Sequence, residues 1–394
     1  LYNFKTTKRI DDGIQRLDEI RAELDSREPG PDAWQARMRR DFEAEAIAGS
    51  LALARVTVSV DDARRVLVGD RPTSVGVEAA ELVAGFAAGM RLALKAAEAR
   101  DFHWNSELLC SVHKHVLAES AEQGAGHLRD NQEWVTNRWK GIDVYLPPAA
   151  DVVPGLLGET MAWLDSADIP APIAASLAHV SIAGIHPFAD GNGRAARIMA
   201  ATAMHGGGYC HPLFASLDAW WGRHADAHHH AFDCLGTGWD PDTDVTTFIE
   251  AHVKAQVAHA EVLSARTIAE QALWVVLRYT AVEDLSLNER ATNALYDAFF
   301  ARDVTNRYYC GLTGVTEEMA SVDLAKLLAS GLIMTRGAGA AARYIASPTL
   351  FECTIHNAGL DPKWLLPSGS AGKRRDAVLS ALASGGETTA DVRG

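Results

Sequence analysis

The sequence predicts a mainly α fold: a helical bundle carrying one β-hairpin, followed by a C-terminal winged-helix-like domain. Three observations predict it. Apolar residues recur at three- and four-residue spacings along most of the chain, the period of a helix buried on one face. One segment, 126–148, instead gathers aromatic and β-branched residues around Lys140-Gly141 and closes on Pro147-Pro148, the pattern of a short hairpin. Residues 268–350 run as three short helices, then Leu332-Ile-Met-Thr, a Gly-Ala-Gly turn and Arg343-Tyr-Ile-Ala, the outline of a winged helix.

Taken in order, Ile10, Ile14, Leu17, Ile20 and Leu24 form an amphipathic stripe over 9–25, which Arg27-Glu-Pro-Gly-Pro-Asp ends. Helical texture returns over 34–55, 61–67, 78–100 and 104–118. Beyond the hairpin it resumes over 151–165, 172–185, 195–204, 216–235 and 243–270. After Pro348 periodicity fades, and the expectation is a mobile tail with one short helix. With 394 residues, two or three domains are expected. The boundaries drawn are an N-terminal helical segment 1–42, a catalytic domain 43–266, the winged-helix-like domain 267–352 and the tail 353–394.

Charge and cysteine usage narrow the function. The 37 Lys and Arg against 51 Asp and Glu give a net charge of −14, which argues against general binding of nucleic acid or anionic membrane. No apolar run approaches the roughly 18–20 residues of a membrane span. Leu1 to Arg9 holds no apolar signal core, and with no Met at position 1 a trimmed N-terminus is expected. Five dispersed cysteines without a Cys-x-x-Cys read as reduced thiols in a cytoplasmic protein.

The chemistry concentrates in His186-Pro-Phe-Ala-Asp-Gly-Asn-Gly-Arg-Ala-Ala-Arg197. An apolar helix ends at a histidine, and the proline after it forces the chain out of the helix. Gly191-Asn192-Gly193 has little side-chain bulk, so backbone N–H groups can converge on an anion, and the helix starting there adds partial positive charge. Arg194 and Arg197 lie three apart on its first turn, where planar donors can grip one polyphosphate. Asp190 precedes the loop, where one carboxylate plus phosphate oxygens can hold Mg²⁺. His186 has the pKa class of a general base near neutral pH. Phe188 reads as core packing.

This segment resembles the signature of the Fic (filamentation-induced-by-cAMP) family, His-x-Phe-x-Asp/Glu-Gly-Asn-Gly-Arg-x-x-Arg, at every defined position. The resemblance implies a Fic-type helical bundle with a β-hairpin flap, and transfer of AMP from ATP to a Ser, Thr or Tyr hydroxyl of a target protein. It implies His186 as general base, Asp190 as Mg²⁺ ligand, and Gly191, Asn192 and Gly193 on the α- and β-phosphates. Arg194 would face the β-phosphate and Arg197 the γ-phosphate. Arg194 also separates the chain from the Doc-type kinase branch, which carries Lys one position earlier. Gly126-His-Leu-Arg-Asp-Asn-Gln-Glu-Trp-Val and Val144-Tyr-Leu-Pro-Pro look like the family flap, with Trp139, Lys140, Gly141 and Ile142 at its tip, pairing with the target's backbone.

Two departures stand out. Relatives carry an inhibitory helix, Ser/Thr-x-x-x-Glu-Gly/Asn, whose Glu pairs with the second motif arginine. With Ser50 in the first position, Ala54 and Arg55 take the last two, so the carboxylate is missing and an unrestrained or partner-restrained enzyme is expected. Where relatives have a Tyr pair, this chain has His228-His229-His230; with His224 these could bind a metal, although a partly exposed helix face is the better reading. Two alternatives remain at this point: a Fic-like transferase of another phosphate-linked group (UMP, phosphocholine), or a transcriptional regulator with a Fic sensor domain. Residues 268–350 hold seven Lys/Arg against nine Asp/Glu, and the expected recognition helix 317–328 carries Glu317, Glu318 and Asp323 against Lys326. That sign suits protein contact or a homodimer better than DNA.

Overall fold

The computed structural model describes residues 2–27, 30–118, 124–137, 142–166, 168–214, 216–337, 342–360 and 371–383. The described chain is mainly helical and divides into two compact units, one of residues 1–28, 39–66 and 73–262, the other of 29–38, 67–72 and 263–394. The four consecutive segments drawn from sequence divide the chain differently. The helix α11 (Thr246–Tyr279) runs straight through the expected boundary at 266/267, and α2 (Asp32–Leu53) through that at 42/43.

In the first unit α1 (Lys8–Asp25) buries Ile10, Leu17, Ile20 and Leu24, the stripe read from sequence. After α3 (Val60–Leu67) come α4 (Val77–Ala97) and α5 (Ser106–Val116), which pack on each other. Asn105 starts α5 by accepting from Leu108 N at 2.8 Å. Strands β1 (Val135–Asn137) and β2 (Ile142–Tyr145) pair antiparallel, with Val135 opposite Tyr145 and Asn137 opposite Ile142. Trp139, Lys140 and Gly141, and the side chain of Ile142, lie outside the described residues. Next come α6 (Val153–Ser166), α7 (Ala171–Ile185) and α8 (Asn192–Gly206).

Helix α7 is apolar on every side and almost wholly buried, the signature of a central helix. It packs along α8, which in turn meets α4 and α5. Ile173, Leu177 and Val180 of α7 join Tyr2, Ile10, Tyr145, Leu235, Phe248, Ile249 and Val253 in one core. The single helix expected over 216–235 is instead α9 (Asp218–Arg223), α10 (Ala225–Ala231) and a 3₁₀ turn, because His224 leaves helical geometry at φ −126°, ψ 47°.

The second unit holds α12 (Thr292–Phe299), α13 (Asn306–Thr313), α14 (Glu317–Ala329) and the antiparallel pair β3 (Ile333–Arg336) and β4 (Arg343–Ala346). Trp34, Trp274 and Tyr296 form its aromatic centre, and the buried Arg37 pairs with the buried Asp297. The loss of periodicity expected after Pro348 is corrected by α15 (Pro348–Asn357), which buries Leu350, Phe351 and Ile355, whereas α16 (Ala371–Ala383) is a short helix of the kind expected in the tail. The rest of the expected tail, 361–370 and 384–394, lies outside the described residues. Among the described residues, no helix is long and apolar enough to cross a membrane.

Candidate active site

The site is built where α7 stops and α8 begins. Pro187 ends α7 by disfavouring helical geometry in the residue before it, and His186 turns to φ 51°, ψ 60°. That left-handed turn brings the ring back over its own helix. Its Nδ1 lies 3.3 Å from the Ala183 carbonyl and donates to it, which places the acceptor lone pair of the neutral ring on Nε2.

The loop after it is tightly held. Phe188 is buried and stacks on His113 at 3.6 Å with the rings 3° from parallel. Asn192 spends its side-chain amide on Phe188, accepting from its N at 2.9 Å and donating to its O at 2.8 Å. What Asn192 offers an anion is therefore backbone, not side chain. Gly191 has φ 76°, and a Cβ there would press on the His113 ring, so both backbone and space demand glycine. The N-cap of α8 is Gly191, which has no side chain to cap the first turn. Its leading N–H groups have no intrahelical partner and lie at the positive end of the helix dipole.

His113 acts as a post behind this loop. Burial pushes its imidazole down to about 4, so the ring is neutral near pH 7. Nδ1 accepts from Gly126 N at 3.0 Å, and Nε2 then donates to the Asp190 carbonyl at 2.8 Å. Arg129 does the same from the hairpin side. Its Nε donates to the His186 carbonyl at 2.8 Å, its Nη1 to the Asn131 carbonyl at 2.9 Å and its Nη2 to the Pro148 carbonyl, while its backbone N donates to Pro187 O at 2.9 Å.

The charged groups divide between surface and interior. Asp190 is half exposed at the lip of the loop, with one oxygen 3.4 Å from Arg194 Nη2. Arg194 is buried, and its Nη1 donates to the Val116 carbonyl at 2.7 Å, at the end of α5. Arg197, also buried, pairs through Nε with Asp218 and through Nη2 with Ser50 Oγ at 2.7 Å. The structure thus brings His186, Asp190, Gly191, Asn192, Gly193, Arg194, Arg197 and Ser50 together.

Two expectations need correction. Helix α2 ends at Leu53, so Ala54 and Arg55 do not continue it: each donates to the carbonyl three residues back, and Arg55 turns to φ 64°. The expected partly exposed histidine face is also wrong for His228, which is buried with its ring beside His179 and Trp221, whereas His229 and His230 are exposed. His224 stacks on Trp220 and does not join them. Among the described residues, no group of three His, Cys, Asp or Glu is placed to hold a metal ion.

Three comparisons set this geometry among known proteins. The Fic/DOC family model matches residues 103–204, the stretch containing His113, Arg129 and the loop from His186 to Arg197. The chain carries a Fic/DOC family domain. A protein adenylyltransferase Fic of Nematostella vectensis is 34% identical over 94 residues, 23% of this chain and 20% of that protein. A protein of the same name from Drosophila erecta is 26% identical over 216 residues, 51% of this chain and 41% of that one. The match thus spans less than half the length of either relative. In fold, a Fic family protein from Desulfovibrio desulfuricans superposes with a TM-score of 0.56 at 18% identity, covering 87% of this chain and 97% of that one. Fic-1 from C. elegans reaches 0.51 at 19%, covering 66% and 72%.

Beyond the sequence signature, three residues that sequence reasoning left without a role hydrogen-bond the loop or Arg197: His113, Arg129 and Asp218. Arg129 follows Gly126 by three in the segment already likened to the flap, so position alone could have flagged it. Asp218 lies beyond the family segment, and nothing in its neighbours announces a partner 21 residues away.

Proposed function

We propose that this chain transfers AMP from ATP to a hydroxyl side chain of a target protein, with His186 as general base. The observation that carries the reading is the junction of α7 and α8. A helix start preceded by Gly191, which has no capping side chain, and two buried arginines on the first two turns adjoin a histidine held as the Nδ1–H tautomer. The backbone N–H groups of 192–194 would take the phosphates, with Arg194 and Arg197 adding planar donors. Nε2 of His186 would take the hydroxyl proton as its oxygen bonds to the α-phosphorus, the bond from that phosphorus to the bridging oxygen breaks, and pyrophosphate leaves. Asp190 fits one Mg²⁺ ligand, being a half-exposed carboxylate at the lip of the loop. Bound there with phosphate oxygens, Mg²⁺ supplies charge neutralisation on the departing pyrophosphate. The names of the relatives support the same activity.

The experiment is incubation with Mg²⁺ and ATP labelled at the α- or the γ-phosphate, scored for label on protein. Label from the α position alone is the expected result, whereas label from the γ position means kinase chemistry and sinks the reading. Labelled UTP alongside reports the choice of base. His186→Ala should lose about 10²–10⁴-fold of the transfer rate while still binding nucleotide. Undiminished transfer by that variant removes His186 from the chemistry.

A further inference from the structure

Arg197 is held in an unusual way for a side chain expected to reach a phosphate. Its Nε pairs with Asp218, which is completely buried, and its Nη2 donates to Ser50 Oγ at 2.7 Å, also completely buried. Asp218 is itself fixed. Its second oxygen accepts from Ser216 Oγ at 2.6 Å, and its backbone N donates back to that hydroxyl at 3.0 Å. The third nitrogen, Nη1, turns the other way: a Cβ on Gly193 would lie 3.1 Å from it, so it sits against the anion-binding loop.

The two anchors reach one guanidinium because two helices touch through their main chains. A Cβ on Gly49 would come within 2.2 Å of the Asp218 carbonyl oxygen, and one on Gly222 within 2.5 Å of the Gly49 Cα. Any larger side chain at either glycine would push α2 and α9 apart. Ser50 follows Gly49 directly, and Asp218 opens α9, so this contact sets the spacing of both anchors.

From this arrangement we infer that Asp218 and Ser50 are positioning residues for Arg197, aiming its Nη1 at a phosphate seated on Gly193. The inference rests on the reading of α8's start as a nucleoside triphosphate site. A carboxylate can serve an arginine or silence it. One that covered both Nη groups would compete with a phosphate, but Asp218 takes Nε, the nitrogen on the chain side of the fork, and leaves Nη1 at the loop. It also holds a buried guanidinium in one orientation before any ligand arrives, the preorganisation on which electrostatic catalysis depends.

The test is calorimetric titration of the full chain with Mg-ATP and Mg-ADP, with a thermal melt for each variant. Asp218→Asn and Ser50→Ala should each weaken ATP binding about tenfold with ADP binding nearly unchanged, lowering the ATP-to-ADP ratio. Ser50→Thr, which keeps the hydroxyl, should restore it. A merely structural pair would change the melt and leave the ratio alone, and that result overturns the inference. Tighter ATP binding or faster transfer by Asp218→Asn also overturns it, since the carboxylate would then be a brake. If Asp218→Asn does not fold, Ser50→Ala and Ser50→Thr decide alone. Wild-type chain that binds neither nucleotide overturns the functional reading first, and the positioning role with it.

Discussion

Each unit buries arginine against aspartate, and Arg37–Asp297 of the second is finished differently from Arg197–Asp218 of the first, which also buries the pair Arg64–Asp41. In the second unit Asp297 is saturated: both Nη groups of Arg37 reach it, Arg302 donates to it at 3.1 Å, and the Tyr308 hydroxyl donates at 3.1 Å. Arg37 also lies over the Tyr296 ring. In the first unit the Arg197 fork is gripped from one side, with Nη1 against the loop. A closed pair holds elements together, whereas one left open toward a loop can serve a ligand. Burial alone therefore says nothing of function; what distinguishes the two is where the last donor points.

The largest expected effect breaks the closed pair. Asp297→Ala leaves the buried Arg37 without its carboxylate and should destabilise the protein by about 3–5 kcal/mol. Urea denaturation followed by tryptophan fluorescence measures it, and a loss below about 1 kcal/mol would contradict the closed reading. Arg197→Ala leaves the buried Asp218 without its guanidinium and so also costs stability. Unlike Asp297→Ala, it should weaken ATP binding of the folded chain by about 10–100-fold, the worth of a charge-assisted hydrogen bond or two. ADP should be affected far less. Equal losses for the two nucleotides would place Nη1 away from the γ-phosphate and erase the contrast between the pairs.

The smallest effect per group separates the units by pH. Buried histidines lie in the first unit, where burial lowers His113 and His211 to about 4 and His252 to about 3. The second unit's single histidine, His356, is exposed. Above about pH 6.5 these rings are neutral whether the chain is folded or not, so they contribute no pH dependence. As pH falls from there toward 4, the unfolded chain binds protons that the folded one refuses, and each ring withdraws about 1.4 kcal/mol per pH unit. Hydrogen exchange at pH 7 and pH 5, corrected for intrinsic rates, should show α7 losing more protection than α12. Equal losses would mean that both units open in one transition.

How much was legible follows from the range of the forces involved. The loop from His186 to Arg197 could be read because its parts are consecutive: a helix stop, two glycines and a helix start act on their neighbours. The stripe of α1 was legible for the same reason, since period and burial are local. What joins distant segments was not. Asp218 meets Arg197 across 21 residues, and Ser50 across 147. His228 was misplaced because three successive histidines look polar on paper, while the helix turns the first inward against His179 and the other two outward. The end of α2 at Leu53 was missed because Ala54 favours helix, and only the left-handed turn of Arg55 opposes it.

Arg129 couples what a drawing would show as separate parts. One guanidinium and one backbone N–H connect the stem of the hairpin, at Asn131 and Pro148, to the carbonyls of His186 and Pro187. The stem and the loop that presents the histidine ring are thus laced through a single side chain. Whatever shifts one strains the hydrogen bonds of the other. By thermodynamic reciprocity, a polypeptide that settled the stem would change the affinity for nucleotide by the same factor as nucleotide changed the affinity for that polypeptide.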